Sequence, residues 1–219
     1  MLRIALLALF VFAAAAGGLF ARRLYLERTP PVGSSEFYVG GQRLLVEKAM
    51  IRDPDLRQGG AFNRLDLVLN WSDFRGGAAG SQIQNRDALV FVALEDATTR
   101  ASKPGDIDPA ERPVDLYARF LAKDAWSNPG GLVMRRFRPG TPYDGEELYI
   151  STPDERIFAA RCPQADQKVG PDDQCLWQTR INGLDLQVRF SPTLLVNWER
   201  LASGIRQLIP RLDRQGPKG

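Results

Sequence analysis

The first apolar stretch of the chain, Ile4–Ala21 within MLRIALLALFVFAAAAGGLFARRLYLER, is continuous, uncharged and without a two-residue alternation. Its eighteen residues, rising about 1.5 Å each, span roughly 27 Å, close to one bilayer core. Two readings stand out. The run is an uncleaved anchor over residues 1–27, or it is a signal segment with apolar region Ile4–Phe12, cut after Ala14-Ala15-Ala16. A buried helix of a cytoplasmic protein is the third reading. Basic residues after the run outnumber those before it, which favours a cytoplasmic domain. With a three-residue leading tail, however, the long domain that follows translocates largely regardless of flanking charge. Residues 28–35, RTPPVGSS, are the linker to the folded part.

The pattern then changes to short alternating segments. Gly40-Gly41 turns a hairpin between Phe37–Val39 and Arg43–Ile51. In FNRLDLVLNW (62–71), Leu65, Leu67, Leu69 and Trp71 share one face, as in a half-buried strand. ALVFVALED (88–96) is apolar throughout, the mark of a central strand covered on both faces. Strands follow at 132–137, 146–151, 156–162 and 175–181. Asn182-Gly183 is the residue pair of a type I′ hairpin turn, and Leu184, Leu186, Val188 and Phe190 alternate with polar residues after it. Helical spacing appears twice. Leu116, Tyr117, Phe120 and Leu121 recur in VDLYARFLA (114–122). Leu194, Leu195, Trp198, Leu201, Ile205, Leu208 and Leu212 form one stripe behind Ser191 as N-cap and Pro192 at the first helical position. These elements predict an α+β fold: one domain over 36–213, a mostly antiparallel, meandering sheet of about eight strands with two helices packed on one face. A disordered tail, 214–219, follows it.

Charge narrows the function classes. Four of the 29 basic residues but only one of the 26 acidic ones lie in the first 35 positions, so the rest of the chain balances. A nucleic-acid domain normally carries a basic patch that neutralises phosphates, and no nucleic-acid partner is expected. The chain contains no histidine. This removes Ser-His-Asp and Cys-His catalysis and His-ligated metal sites, leaving carboxylate, Lys, Tyr or Ser chemistry for any enzyme.

The remaining candidate chemistry is local. Cys162 and Cys175 are the only cysteines and fall at the facing ends of two strands. A disulfide closing this loop is the preferred reading. Two thiols without imidazole make a poor zinc set even with Asp166, Asp172 and Asp173 nearby, and the spacing is not C-x-x-C. In DIDPAE, Asp108, Pro109 and Glu111 read as a helix capping box, and with Asp106 they do not fit a calcium loop. Glu146 and Glu147 stand beside a turn after Tyr143 and point to opposite faces of a strand, so they read as solvated turn residues, not as a hydrolytic pair. Arg135 and Arg136 in RRFR, with Arg200, Arg206, Arg211 and Arg214 on the last helix, are candidate contacts to anionic lipid or a partner, interrupted by Glu199 and Asp213. Trp71, Trp126, Trp177 and Trp198 are expected in or beside the core. No cofactor and no metal is expected.

RQGGAFNRLDLVLNWSDF, GEELYI, FAARC with a second cysteine, and GLDLQVRFSPTLLVNWERL resemble, as a set, a family of membrane-anchored or exported bacterial proteins with no assigned activity. The resemblance spans most of residues 36–212 and implies no cofactor or catalytic residues. The layout of cysteine pair, hairpin and terminal helix is also similar to the C-terminal part of periplasmic immunity proteins that neutralise secreted lipase effectors. The expected protein is therefore a bacterial inner-membrane, single-pass protein held through residues 4–21, with its domain in the periplasm. That domain is non-catalytic and binds a protein or envelope component. A carboxylate-dependent envelope hydrolase and a periplasmic immunity or inhibitor protein are the alternatives.

Overall fold

The computed structural model describes residues 33–77, 86–99, 113–127, 130–164 and 173–214. The apolar run Ile4–Ala21, most of the linker, and Asp106, Asp108, Glu111, Asp166 and Asp172 lie outside the described residues, as do 215–219. Among the described residues no helix is long and apolar enough to cross a membrane.

The expected α+β architecture is present, with more strands than the sequence pattern suggests. β1 (Ser34–Val39) and β2 (Gln42–Glu47) form the first hairpin, and β3 (Gly60–Phe62) lies parallel to β1 in a small three-stranded sheet. Gly33 and Ser35, read as linker from the sequence, are already tied into the fold: the Gly33 carbonyl accepts from the Lys48 N–H, and Ser35 Oγ donates to the Arg57 carbonyl. β2 stops at Glu47, and a 3-10 turn at Lys48–Met50 buries Met50 instead of continuing the predicted strand.

The large sheet holds β4 (Arg64–Asn70), β5 (Leu89–Asp96), β6 (Trp126–Ser127), β7 (Val133–Arg136), β8 (Glu146–Ile150), β9 (Ala159–Pro163), β10 (Cys175–Ile181) and β11 (Leu184–Phe190). Its order is β4-β5-β11-β10-β9-β8-β7-β6, antiparallel at every pair. β4 and β5 are neighbours. After β5 the chain crosses to the far edge, and the strands from β6 to β11 then return one by one until β11 closes against β5. The turn at Asn182-Gly183 has φ of 50° and 80°, both positive, as a type I′ turn requires. Gly40, φ 58°, tips the first hairpin against the end of β5, where a side chain would meet Asp96 Cγ at 2.7 Å. The first hairpin is thereby held to the large sheet at a point only glycine can occupy.

Register aligns the core in rows. Leu67, Val92, Val188, Trp177, Ala160, Tyr149 and Met134 are successive partners across seven strands and share the inner face. Over the β4–β11 end of this face lie β1, β2 and the terminal helix. The chain passes from Ser191, whose Oγ accepts from Thr193 N–H, through a 3-10 segment (Pro192–Asn197) into an α-helix at Trp198–Arg214. Leu201, Ala202, Ile205, Leu208, Ile209 and Leu212 are all buried there, a stripe of the predicted period. Phe158 joins the layers, with ring centroids 5.1 Å from Trp177, 6.1 Å from Phe190 and 5.5 Å from Trp198.

The helices do not share a face, contrary to the expectation. The helix at Pro113–Ala118, α1, packs on the outer side of β7 and β8. There Tyr117, Leu121, Phe137, Leu148 and Ile150 form a second buried cluster, separate from the main core. The terminal helix, α2, belongs to the main core. The alternation of β8 explains this: Tyr149 enters the inner core while Leu148 and Ile150 enter the outer cluster. α1 is also shorter than predicted. Residues after Ala118 leave helical form and run along β7: Leu121 bridges Phe137, Ala122 N–H donates to the Arg136 carbonyl, and Arg138 N–H donates to that of Phe120. Edge pairing outcompetes continuation of the helix.

Candidate functional site

Cys162 and Cys175 are joined in a disulfide, with Cα atoms 4.1 Å apart, and both are buried. They occupy the next register position beyond the β9–β10 ladder, after Leu176–Arg161. The bond therefore closes the residue 163–174 loop without disturbing the strands.

The outer face of the sheet carries most of the remaining polar chemistry. Its middle row alternates apolar and arginine side chains across six strands: Phe91, Arg189, Leu176, Arg161, Leu148 and Arg135. Arginines thus recur at every second strand, roughly 10 Å apart. Arg135 donates to the Ala122 carbonyl at 2.6 Å. Arg161 forms an ion pair with Glu146 at 2.6 Å and lies over the rings of Tyr143 and Tyr117. Arg189 is exposed and makes no hydrogen bond or ion pair among the described residues. A neighbouring row at the end of the strands places Arg64, Glu95, Asp185 and Arg180 side by side. Arg64 meets Glu95 at 2.8 Å and Arg180 meets Asp185 at 2.7 Å, so each carboxylate has an arginine partner.

Two clefts open on this face. One, of about 360 Å³, lies at the disulfide end and is lined by Asp144, Glu146, Arg161, Asp173, Leu176 and Arg189. Burial pushes the Glu146 carboxyl above its ordinary range, opposed by the charges of Arg161 and Arg189. The other, of about 50 Å³, lies over β4, β5 and β11 between Arg52, Arg64, Asp66, Phe91, Gln187 and Arg189. Arg189 borders both.

The carboxylates beside the turn are not alike. Glu146 is half-buried on the outer face. Glu147 is buried on the inner face, accepting from Tyr149 Oη at 2.7 Å and from Arg136 Nε at 3.1 Å. The solvated-turn expectation fails for Glu147 because Tyr149 and Arg136 carry its hydrogen bonds into the sheet. The two carboxyls lie on opposite faces and cannot flank one substrate bond. Among the described residues no three acidic or cysteine side chains gather as a metal set. Asp173 is exposed.

The basic candidates do not converge on one surface. Arg135 and Arg136 lie on β7, with the Arg136 guanidinium 5.6 Å over Trp126. Arg206, on α2, donates to the Ile157 carbonyl at 2.7 Å, and Arg211 donates to that of Phe74. Arg200 donates to the Ser72 carbonyl and lies over Trp71. The basic side of α2 thus holds the 71–75 loop. Burial depresses the Arg211 guanidinium below its ordinary value. The sequence pattern missed Arg52 and Arg189; the only signal for Arg189 was its polar position in the last alternating strand.

Compared with known proteins, the chain matches no family profile and no curated protein sequence. Two solved structures are similar in shape. An immunity protein of the Stenotrophomonas maltophilia type IV secretion system, Smlt3025, superposes with a TM-score of 0.54 at 13% identity, over 82% of this chain and 93% of that one. The Neisseria meningitidis iron-regulated outer membrane lipoprotein FrpD superposes with a TM-score of 0.44 at 12% identity, over 84% and 93%. The first likeness establishes a shared fold.

Proposed function

We propose that the chain is an exported, non-catalytic protein-binding module of the immunity type, which neutralises an effector protein in the bacterial envelope. The observation that carries this reading is the fold shared with a secretion-system immunity protein over nearly all of that protein's length. Fold alone does not assign function, and two features of this chain support the same reading. The buried Cys162–Cys175 disulfide suits an oxidising compartment, in line with an exported or membrane-tethered domain behind the Ile4–Ala21 run. The outer face of the sheet offers an open, mixed-charge surface suited to a protein partner, and its paired carboxylates are held by arginines. The inner-membrane tether and the periplasmic placement belong to this proposal.

The test is co-production in the periplasm of a heterologous host. Toxins encoded beside this gene would be exported with and without the chain. Restored growth, with co-elution of the pair, is the expected result. Failure to protect against any of them, with a correctly folded and oxidised chain present, would reject the immunity reading.

A further inference from the structure

The small cleft over β4, β5 and β11 joins an aromatic floor to two uncommitted cations. The Arg52 guanidinium lies 5.6 Å over the centre of the Phe91 ring. Arg189 is the direct cross-strand partner of Phe91. Both arginines are exposed, and neither forms an ion pair among the described residues. The third arginine of the cleft, Arg64, is already held by Asp66 at 3.0 Å and Glu95 at 2.8 Å. Glu95 also accepts from Gln187 at 3.4 Å. On the other side of Arg189, Glu146 is committed to Arg161. The acidic groups around the cleft are thus engaged by other arginines, while Arg52 and Arg189 have no carboxylate at ion-pair distance among the described residues.

From this geometry we infer that the cleft is a recognition site for a single carboxylate of a partner protein, an Asp or Glu side chain held between the guanidinium groups of Arg52 and Arg189, with Phe91 supporting the Arg52 group from below. The inference rests on the protein-binding reading above and names the residues and the partner chemistry. Size supports it. A cleft of about 50 Å³ takes a group of a few atoms, whereas small-molecule sites occupy roughly 300–1,000 Å³. Charge patterning supports a side chain over a lipid surface: the two arginines form an isolated pair beside the Arg64–Asp66 ion pair, whereas an anionic headgroup layer is met by an extended basic patch. The guanidinium forks supply the paired donors that a carboxylate accepts. Arg189 also borders the larger cleft.

The probe is a Glu-containing decapeptide, compared with its Glu-to-Gln counterpart and with phosphatidylglycerol vesicles, and titrated into the oxidised domain. NMR would follow the Nε–H signals of Arg52 and Arg189 and the amide of Phe91. The acidic peptide is expected to shift these signals, and the R52Q/R189Q variant to bind it at least about tenfold more weakly. The Gln peptide should not bind, and binding should weaken between about 0.1 and about 0.5 M salt, over which the screening length falls roughly twofold. Both arginines are exposed, so the variant should fold; the R189Q single variant provides a check with a smaller loss. Shifts elsewhere, undiminished binding by the variant, or vesicle binding through these arginines would overturn the inference. It separates from the immunity reading. If R52Q/R189Q still neutralises an effector that the unmodified chain neutralises, the cleft assignment fails and that reading stands. If the peptide binds at the cleft but no effector is neutralised, the cleft stands and that reading fails.

Discussion

The two faces of β5 and β11 are built from alternate residues of the same strands, and they do opposite things. Inward, Val92, Leu94, Leu186 and Val188 are essentially unexposed and form the centre of the main core. Outward, Phe91, Glu95, Gln187 and Arg189 stay open or half-open, and Glu95 and Arg189 carry charge. A one-residue slip in register would exchange the two sets. The Asn182-Gly183 turn and the Phe190–Cys175 pairing at the other end of the hairpin hold that register. Buried apolar area is thereby concentrated on one face of these strands, and the other is left largely to polar and charged groups.

The largest effect should come from breaking the inner face. Trp177, 1% exposed and packed on Phe158, should cost about 3–5 kcal/mol when replaced by alanine, read from denaturant unfolding. Reduction of the Cys162–Cys175 bond should cost about 3 kcal/mol in the chain-entropy model, a fall in Tm of roughly 6–12 °C for a domain of this size. Glu147→Ala would leave Tyr149 Oη and Arg136 without their shared acceptor and should cost about 2 kcal/mol. On the outer face, R52Q and R189Q should each change stability by less than about 0.5 kcal/mol, so the same measurement separates the faces. The smallest effect is a pH signature. Arg43 and Tyr38, hydrogen-bonded to Glu36, lower its carboxyl from 4.5 to about 2. A depressed folded-state value adds stability above about pH 4.5 and loses it as the pH falls toward 2. E36Q should flatten the acid limb of the stability curve in that window.

The inner face was largely legible in the sequence. Alternation in Leu65–Leu69 and Leu184–Phe190, the Asn-Gly turn, the terminal stripe from Leu201 to Leu212 and the cysteine pair all report local rules of period, turn chemistry and reach. The outer face was not. The Arg52–Phe91–Arg189 cleft depends on β11 closing beside β5 after a crossing of the whole sheet, and no local pattern specifies that pairing. Glu147 looked solvated because its partners Tyr149 and Arg136 become partners only through strand pairing and burial. The 120–122 segment read as helix because its spacing fits one, while the edge of β7 offers it hydrogen bonds instead. The sequence does not separate the two helices onto opposite faces, because their stripes say what is apolar, not which side of a sheet receives it.

The most direct test of the central claim measures protection and stability together, for the unmodified chain and for R52E/R189E, against an effector that the unmodified chain neutralises. The account predicts an unchanged denaturant midpoint with protection lost. Protection retained by a fully folded R52E/R189E protein would contradict it.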